Sequence, residues 1–285
     1  MNKCLGSIKM EKISVIFIAA GMGSRLSPYT DNCPKCMLPL NGKPIIFNNI
    51  DALRHCGVDE INVIIGYQKE SIKIEGATYF ENDDFENNNI LFSLMYAADV
   101  FQHAIDNNTI LIISYSDIIY SAEIVQRLLS SSSDIALAVD TDWLKLYEGR
   151  SEHPVSEAEK VVFDTAHRIS KLGKLIEPEK NEAVGEFIGL LKLTPAGARN
   201  WLSLFNELKA SISPLAPFMG SPEFRKSYLT HFLQAMISRG MPVSAVTFDG
   251  GWMEFDTAQD YEKLLSSYQS EAGNLSGKEK KAGEY

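Results

Sequence analysis

The sequence predicts an α/β fold in which a doubly wound, mostly parallel sheet is flanked by helices. Residues 13–20 are apolar and rich in β-branched residues, and they run directly into the glycine segment GMGSRL. Such a run is typical of a buried parallel strand followed by a loop. Strand-like and helix-like segments then alternate up to about residue 140, as they do in parallel sheets. The 285 residues are 45% hydrophobic, so the chain can bury a full core.

The first half of the chain supports this fold element by element. Apolar positions at helical spacing predict a helix over 44–56, and Gly57 is a suitable C-terminal stop. The apolar helix predicted over 90–105 follows an asparagine cluster suited to capping. A buried strand over 109–117 ends in an acid, Asp117. The other predicted elements of this half are strands at 61–67, 77–81 and 134–140 and a helix at 121–130.

The alternation breaks down in the second half. Residues 141–160 are polar without clear periodicity, and the strand-like stretches at 160–164 and 167–171 have no long helix between them. We therefore expect a mixed sheet in which a hairpin covers one edge. The remaining predicted elements are strands at 185–193 and 243–248 and helices at 195–209, 223–239 and 257–267.

Together these elements predict one domain over residues 11–267, with a polar insertion at about 141–160. The tail at 268–285 is poor in apolar residues and is predicted to be disordered. Four cysteines do not form a disulfide scaffold in a chain of this length. The pair Cys33 and Cys36 lacks the second pair of ligands that a structural zinc ion requires.

The charge balance argues against two classes of partner. The chain has 27 Lys and Arg against 37 Asp and Glu, a formal net charge of -10, whereas nucleic acids and anionic membranes are bound by clustered cations. No apolar run approaches the roughly 20 residues that span a bilayer, and the first twelve residues lack the apolar core of a secretion signal. We expect a cytoplasmic protein that binds neither nucleic acid nor membrane. A homodimer is compatible with the sequence.

The glycine segment permits several interpretations when it is taken alone. A dinucleotide-binding fingerprint needs a third glycine where Leu26 stands, and a P-loop needs a GK[ST] triplet, which does not occur. A purely structural turn is compatible with the glycines. The longer stretch AAGMGSRLSPYTDNCPKCMLPLNGKPI adds two cations, Arg25 and Lys35. A loop with exposed backbone N–H groups and two cations can wrap a triphosphate.

The long motif AAGMGSRL…PK…L…GKP resembles the signature of the nucleotidyltransferases that load sugar phosphates, phosphocholine or phosphonates onto nucleoside triphosphates. The resemblance covers roughly residues 13–267. It implies a GT-A-like (Rossmann-like) fold with a mixed, mostly parallel sheet, and Mg²⁺-dependent transfer of a nucleotidyl group with release of pyrophosphate. The sequence is most similar to the phosphocholine and 2-aminoethylphosphonate cytidylyltransferase branch, which uses CTP.

The resemblance also implies the metal ligands. Asp117 stands where the family carries a Mg²⁺-binding aspartate, often within Asp-x-Asp, although Tyr115 replaces the first aspartate here. The segment MEFDTAQDY matches the family's late acidic motif, so Asp256 is the second expected ligand, with Glu254 nearby. The alternative for Asp117 is an N-cap of the following helix, and we expect Asp256 to cap a helix as well. The implied catalytic residues are Arg25, Lys35, Asp117 and Asp256.

The segment ENDDFENNNILFSL resembles the part of the family that contacts the base and ribose. Helix capping alone is the alternative explanation for its asparagines. With the glycine loop included, the residues expected to bind the nucleotide are Ala20, Gly21, Gly23, Ser24, Arg25, Lys35, Asn82, Asn88, Asn89 and Ser93.

The acceptor is predicted from the charged stretch at 140–161, which follows the predicted parallel strands. Cations among acids suit a small zwitterion such as 2-aminoethylphosphonate; phosphocholine, which needs an aromatic cage, is the runner-up. A sugar 1-phosphate would want neutral hydrogen-bonding groups, and a non-catalytic sensor would have lost the triphosphate or metal residues. The expected contacts are Arg150, His153 and Lys174 for the anionic head, Glu186 for an ammonium group, and Trp252 as an aromatic face.

Overall fold

The structure, a computed structural model, describes residues 12–266. The strands are β1 (Ile13–Ala19), β2 (Pro39–Leu40), β3 (Lys43–Pro44), β4 (Glu60–Ile65), β5 (Thr78–Glu81), β6 (Ile110–Tyr115), β7 (Ile118–Tyr120), β8 (Ile135–Asp140), β9 (Lys160–Phe163), β10 (Ile169–Gly173), β11 (Ala183–Leu193), β12 (Ser244–Phe248) and β13 (Trp252–Glu254). The α-helices are α1 (Ile45–His55), α2 (Ile90–Leu94), α3 (Ala98–Asp106), α4 (Ala122–Ser130), α5 (Pro195–Ser211), α6 (Leu229–Ser238) and α7 (258–266).

A mixed sheet of nine strands forms the centre, as predicted. Its main path runs β10-β9-β11-β6-β1-β4-β5, and β8 pairs with both β11 and β12. The strands β6, β1, β4 and β5 are mutually parallel, whereas β11 is antiparallel to β6, β8 and β9. The β9–β10 hairpin lies at one edge, which confirms the hairpin expected from the sequence.

The sheet is buried on both faces, which explains the unbroken apolar run of β1. Side chains of β1 alternate between two hydrophobic clusters, with Ile16 in one and Phe17 in the other. The first cluster is covered by α3, α5 and α6, and the second by α1 and α4. A strand buried on both faces reads as a continuous hydrophobic segment rather than an alternating one.

Two predicted helices are shorter in the structure. The helix expected over 90–105 is divided by a 3₁₀ turn at Met95–Ala97, but Leu94 and Phe101 on either side pack into the same cluster, so the apolar periodicity conceals the break. The helix expected over 223–239 begins only at Leu229. Residues before it pair with the start of α2 instead, through hydrogen bonds such as that from Leu91 N to the carbonyl of Ser227.

The stretch 141–160 is more tightly packed than its polar composition predicts. Trp143, Tyr147 and Ala158 form a small buried cluster, and His153 is buried as well. No helix within residues 12–266 is long and apolar enough to cross a membrane. The tail expected to be disordered, 268–285, lies outside the described residues, and the single-domain interpretation of 11–267 stays a prediction.

Candidate functional site

The glycine loop lies at the carboxyl ends of the parallel strands. The ends of β1, β4, β5 and β6 share one edge of the sheet because these strands are parallel, and this is where open α/β sheets bind ligands. Gly23, just after β1, has a φ of +62°. A Cβ atom there would lie 3.1 Å from Cβ of Lys35. The glycine therefore allows both the left-handed turn and the close approach of the lysine.

Lys35 connects the acidic residues of the site. Its Nζ lies 2.8 Å from Oδ2 of Asp117 and also contacts Oδ1 of Asp256. Burial opposes the charge on the ammonium, but the two carboxylates outweigh it and raise the pKa of Lys35. Arg25 Nη2 lies 2.9 Å from Oδ2 of Asp256. Burial raises the pKa of Asp256, yet the charges of Lys35 and Arg25 bring it below its usual range. The four expected catalytic residues thus form one connected ionic cluster.

The asparagines after β5 form a buried polar network. Asn82 donates to Oδ1 of Asn88 at 3.0 Å and to Oγ of Ser93 at 3.1 Å, and Asn88 donates back to Oδ1 of Asn82 at 2.9 Å. Asn89 caps α2 by accepting from the N–H of Ile90 at 2.8 Å. Capping therefore explains Asn89, but it does not explain the burial of Asn82 and Asn88.

All ten residues expected to bind the nucleotide line one cavity of about 330 Å³, here called the nucleotide cavity. Its walls also include Tyr115, Ser116 and the two metal-binding candidates, Asp117 and Asp256. The glycine loop and these candidates therefore line the same cavity. The remaining lining residues, which were not predicted, are Ile18, Ala19, Cys36, Phe85, Ile90 and Tyr228. Burial raises the pKa of the Cys36 thiol to about 12, so this cysteine stays protonated.

The capping roles considered for the two aspartates belong to other residues. Ser121 caps α4 by accepting from the N–H of Ile124, which leaves Asp117 free of that function. At the start of α7, Asp260 Oδ2 accepts from the N–H of Asp256 and of Thr257 at 3.1 Å. Thr257 Oγ1 in turn accepts from the N–H of Asp260 at 3.3 Å. The side chain of Asp256 is therefore not the helix cap, contrary to expectation, and is available to the site.

A second cavity of about 540 Å³, here called the acceptor cavity, adjoins the first. The two cavities share Arg25, Asp117 and Asp256 in their walls. Acids dominate the remaining charged lining, which comprises Glu152, His153, Glu157, Glu159, Lys174, Glu186 and Glu254. A positively charged group on a bound molecule is favoured by such walls. Three of the predicted acceptor contacts, His153, Lys174 and Glu186, line this cavity, and their roles stay a prediction.

Glu186, which lines the acceptor cavity, carries a buried oxygen without a hydrogen-bond partner. Tyr147 donates to its Oε1 at 2.5 Å, while the buried Oε2 has no hydrogen-bond partner. Burial and the nearby charge of Glu254 raise the pKa of Glu186 well above its usual range. A buried carboxyl oxygen without a partner is costly, so a donor from a bound molecule would stabilise it.

Arg150 and Trp252 do not line the acceptor cavity, which corrects two of the expected contacts. Arg150 makes two hydrogen bonds to Asp260, at 2.7 and 2.9 Å, and a third to Glu254 at 3.0 Å, so its guanidinium is used within the protein. Trp252 is buried and donates from Nε1 to Oδ2 of Asp140 at 2.8 Å. Trp143 and Tyr147 pack against each other and do not line the cavity, although Tyr147 contacts Glu186 and His153, which do.

Tyr115 and Glu159 are residues of the site that sequence reasoning did not single out as contacts. Tyr115 lines both cavities and donates to Oε2 of Glu159 at 3.2 Å. Its ring lies over Gly189, where a Cβ atom would approach within 2.2 Å of the ring. The position of Tyr115 at a strand end, two residues before Asp117, was the available signal.

The carboxylates of Asp117 and Asp256 are suitable ligands for a Mg²⁺ ion. Carboxylate oxygens of both residues reach the same ammonium group, so the two side chains already enclose a cation. Mg²⁺ takes one or two carboxylates and completes its shell with water and substrate phosphates. Glu254 lies on the other side of Asp256, with Nε2 of His153 at 3.4 Å from its Oε1. Burial and the charge of Asp256 raise the pKa of Glu254 to about 7.

Comparison with known proteins places this arrangement in a family. Residues 15–183 match the profile of the MobA-like NTP transferase domain. The CTP:phosphoglutamine cytidylyltransferase of Campylobacter jejuni is 32% identical over 255 residues, which cover 88% of this chain and 98% of that protein. The 2-aminoethylphosphonate cytidylyltransferase of Lancefieldella rimae is 34% identical over 104 residues, 35% of this chain and 42% of that protein.

The fold is also similar to that of a solved enzyme. The CTP:phosphocholine cytidylyltransferase of Streptococcus pneumoniae superposes with a TM-score of 0.64 over 90% of this chain and 99% of that chain. The sequence identity in that superposition is 19%, so the match supports the fold alone. The mixed sheet with flanking helices is shared.

Proposed function

Because the chain belongs to the MobA-like NTP transferase family and is a nucleotidyltransferase, we propose that it transfers CMP from CTP to a small acceptor. The acceptor carries an anionic phosphoryl or phosphonyl group together with a primary ammonium group, and pyrophosphate is released. The observation that carries this proposal is the ionic cluster in which Lys35 contacts both Asp117 and Asp256 between the two cavities.

The nucleotide cavity would hold CTP by its charge and its polar network. Backbone N–H groups of the glycine loop and the cations Arg25 and Lys35 suit the triphosphate. Asn82 uses its amide to hold Asn88 and Ser93, and the remaining N–H of the Asn88 amide can donate to the base. A site that hydrogen-bonds a ligand rejects analogues that leave those groups unpaired.

The reaction proposed is an in-line displacement. An oxygen of the acceptor's anionic group forms a bond to the α-phosphorus of CTP, and the bond from that phosphorus to the bridging oxygen of pyrophosphate breaks. The acceptor oxygen is already charged, so Arg25 and Lys35 mainly stabilise the leaving pyrophosphate and hold the geometry. Mg²⁺ held by Asp117 and Asp256 would supply further positive charge beside the α-phosphate.

The acidic acceptor cavity favours an ammonium-bearing acceptor over a sugar 1-phosphate. Oε2 of Glu186 lacks a hydrogen-bond partner and can accept from a primary ammonium. A quaternary ammonium donates no hydrogen bond and would leave this oxygen unsatisfied, which disfavours phosphocholine. Among the acceptors named for the relatives, phosphoglutamine and 2-aminoethylphosphonate meet the requirement.

Of these two we favour phosphoglutamine as the acceptor. The similarity to the Campylobacter jejuni enzyme covers 98% of that protein, whereas the match to the 2-aminoethylphosphonate enzyme covers 42%. Lys174, which lines the acceptor cavity and pairs with Glu157 at 2.6 Å, is placed to hold the carboxylate of an amino acid. The 2-aminoethylphosphonate activity predicted from the sequence is the second candidate.

Pyrophosphate release tests this proposal directly. We would measure kcat/KM with CTP and Mg²⁺ for phosphoglutamine, 2-aminoethylphosphonate, phosphocholine and glucose 1-phosphate. The kcat/KM for an amine-bearing acceptor should exceed that for phosphocholine or glucose 1-phosphate by more than about tenfold, or about 1.4 kcal/mol. A preference for glucose 1-phosphate or phosphocholine would refute the assignment.

Glu186→Gln separates ammonium recognition from general damage to the site. The variant should raise KM about tenfold for the amine-bearing acceptor, and it should leave KM unchanged for an analogue without the amine, such as ethylphosphonate. Glu177→Gln, at an exposed carboxylate of the neighbouring loop, is the matched control and should change neither value.

A further inference from the structure

His153, Glu254 and Asp256 form a compact cluster on the acceptor side of the site. One potential ligand atom from each residue lies within 4.8 Å of the others. Nδ1 of His153 is 3.2 Å from Oδ2 of Asp256, and Nε2 is 3.4 Å from Oε1 of Glu254. Lys35, which also pairs with Asp117, contacts the opposite oxygen of Asp256. The cluster is therefore separate from the place between Asp117 and Asp256.

The Nδ1 atom of His153 lies 3.2 Å from Oδ2 of Asp256, but the contact does not form a hydrogen bond. The residue is 4% exposed, and its Nδ1 is a buried atom with no hydrogen bond among the described residues. Buried polar atoms in proteins almost always have a partner or a functional reason to lack one. An imidazole nitrogen beside two carboxylates is a common donor set for divalent cations.

The charges around the cluster can accommodate an added cation. Arg150 is held between Glu254 and Asp260 and is fixed within the protein. Arg25, which contacts the same Asp256 oxygen as His153, has a side chain that is 54% exposed. Because of that exposure, Arg25 can turn into solvent, or toward a bound triphosphate, and release the Asp256 oxygen to a cation.

We propose that His153, Glu254 and Asp256 form a second divalent-cation site, which prefers a first-row transition metal such as Mn²⁺ or Co²⁺ over Mg²⁺. Glu254, Asp256 and His153 all line the acceptor cavity, so a cation there lies where the anionic group of the acceptor binds. The preference follows from the ligands, because Mg²⁺ favours oxygen donors and imidazole favours the transition metals. Two-metal sites clamp both sides of a displaced phosphorus in other enzymes.

Metal binding by the nucleotide-free protein tests the site without reference to turnover. Calorimetric titration of the full chain with Mn²⁺ and with Mg²⁺ should show tighter binding of Mn²⁺ by tenfold or more. His153→Ala should weaken Mn²⁺ binding by at least about tenfold, as loss of a metal ligand or its support does, and leave Mg²⁺ binding within twofold. The visible absorption of bound Co²⁺ should change in the same variant. His55→Ala, at an exposed histidine at the end of α1, is the matched control.

Two results would overturn the proposal. One is a wild-type protein that binds Mn²⁺ and Mg²⁺ equally, a result that needs no variant and so does not depend on the folding of His153→Ala. The other is Mn²⁺ binding that survives His153→Ala but is lost in Asp117→Asn, which would assign all metal binding to the place between Asp117 and Asp256. Pyrophosphate release with CTP and Mg²⁺ is measured separately, so the proposed transferase activity can stand when the second site fails.

Discussion

Lys35 is the residue on which distant parts of the chain converge. Its partner Asp117 is 82 positions away in sequence, and its partner Asp256 is 221 positions away. Only 11% of the lysine side chain is exposed, so its charge depends on these two carboxylates. Removing one partner of a buried ion pair leaves an uncompensated charge, which gives each member of the cluster a measurable role.

Lys35→Ala should abolish most of the turnover while the protein stays folded. Loss of one positioned charge costs about 3 kcal/mol of barrier, or roughly a hundredfold in rate. Pyrophosphate release and thermal melting would be measured side by side. Lys43→Ala removes an exposed lysine paired with Asp51 and should retain activity. Turnover of the Lys35 variant within threefold of wild type would remove this residue from the mechanism.

Asn82→Ala should weaken discrimination between nucleotides. The change deletes the centre of the amide network and leaves Asn88 without its partner, so we expect a loss of about tenfold in kcat/KM for CTP and a smaller preference over UTP. Asn87→Ala is the control, because the Asn87 amide bonds Asp84 in an exposed pair. An unchanged ratio of CTP to UTP would exclude base recognition by this network.

Glu159 should make stability depend on pH. Burial raises the pKa of Glu159 to about 7, whereas the unfolded value is about 4.3. Between these values the folded protein keeps a proton that the unfolded chain has lost, so the free energy of unfolding falls as pH rises. In Glu159→Gln, the free energy of unfolding, measured with urea from pH 5 to pH 8, should decrease less with rising pH than in the wild type. Glu152→Gln, at an exposed carboxylate of the same cavity, should leave the slope unchanged.

At the scale of the elements, the long strands and helices could be predicted because their apolar periodicity is itself the cause of their burial. The strands β7 and β13 were missed because each has three residues, too few to show a period. The partners of Arg150 and Trp252 were missed for another reason. Arg150 and its partner Asp260 are 110 positions apart, and Trp252 and its partner Asp140 are 112 positions apart. Local sequence patterns do not predict pairs at such separations.

The cap of α7 is expected to affect both stability and activity. Thr257→Ala removes one half of a reciprocal cap and should cost about 1 kcal/mol in free energy of unfolding. Activity should fall as well, because the same cap holds the backbone N–H of Asp256. Ser121→Ala removes the cap of α4 and should cost a similar free energy with activity retained. Equal activities in the two variants would contradict this coupling.

At the scale of the whole molecule, the parallel strand ends explain why the nucleotide residues could be predicted together. Ala20, Asn82 and Asp117 follow different strands of the same parallel set, so order in sequence predicts proximity in space. The acceptor side combines a packed irregular segment with the antiparallel β11. No periodicity governs that region, which is why only part of its lining was predicted.

Removal of residues 270–285 should leave both melting temperature and kcat/KM unchanged. This part of the chain is poor in apolar residues, so its sequence offers little surface to bury. Thermal melting and pyrophosphate release of the shortened chain provide the measurement. A drop of several degrees or a loss of activity would show that these residues contribute to the fold or the site.

The separation of Lys35 and Asp256 in sequence also delays completion of the ionic cluster during translation. At roughly 5 to 20 residues per second, the ribosome adds the 221 positions between them in about 10 to 45 s. For the last 139 of those positions the nascent chain holds the lysine and its first acid, Asp117, but lacks Asp256. Ribosome-stalled chains that end before Asp256 are therefore expected to be inactive, although most of the sheet has been made. Catalysis would therefore require that translation has passed Asp256.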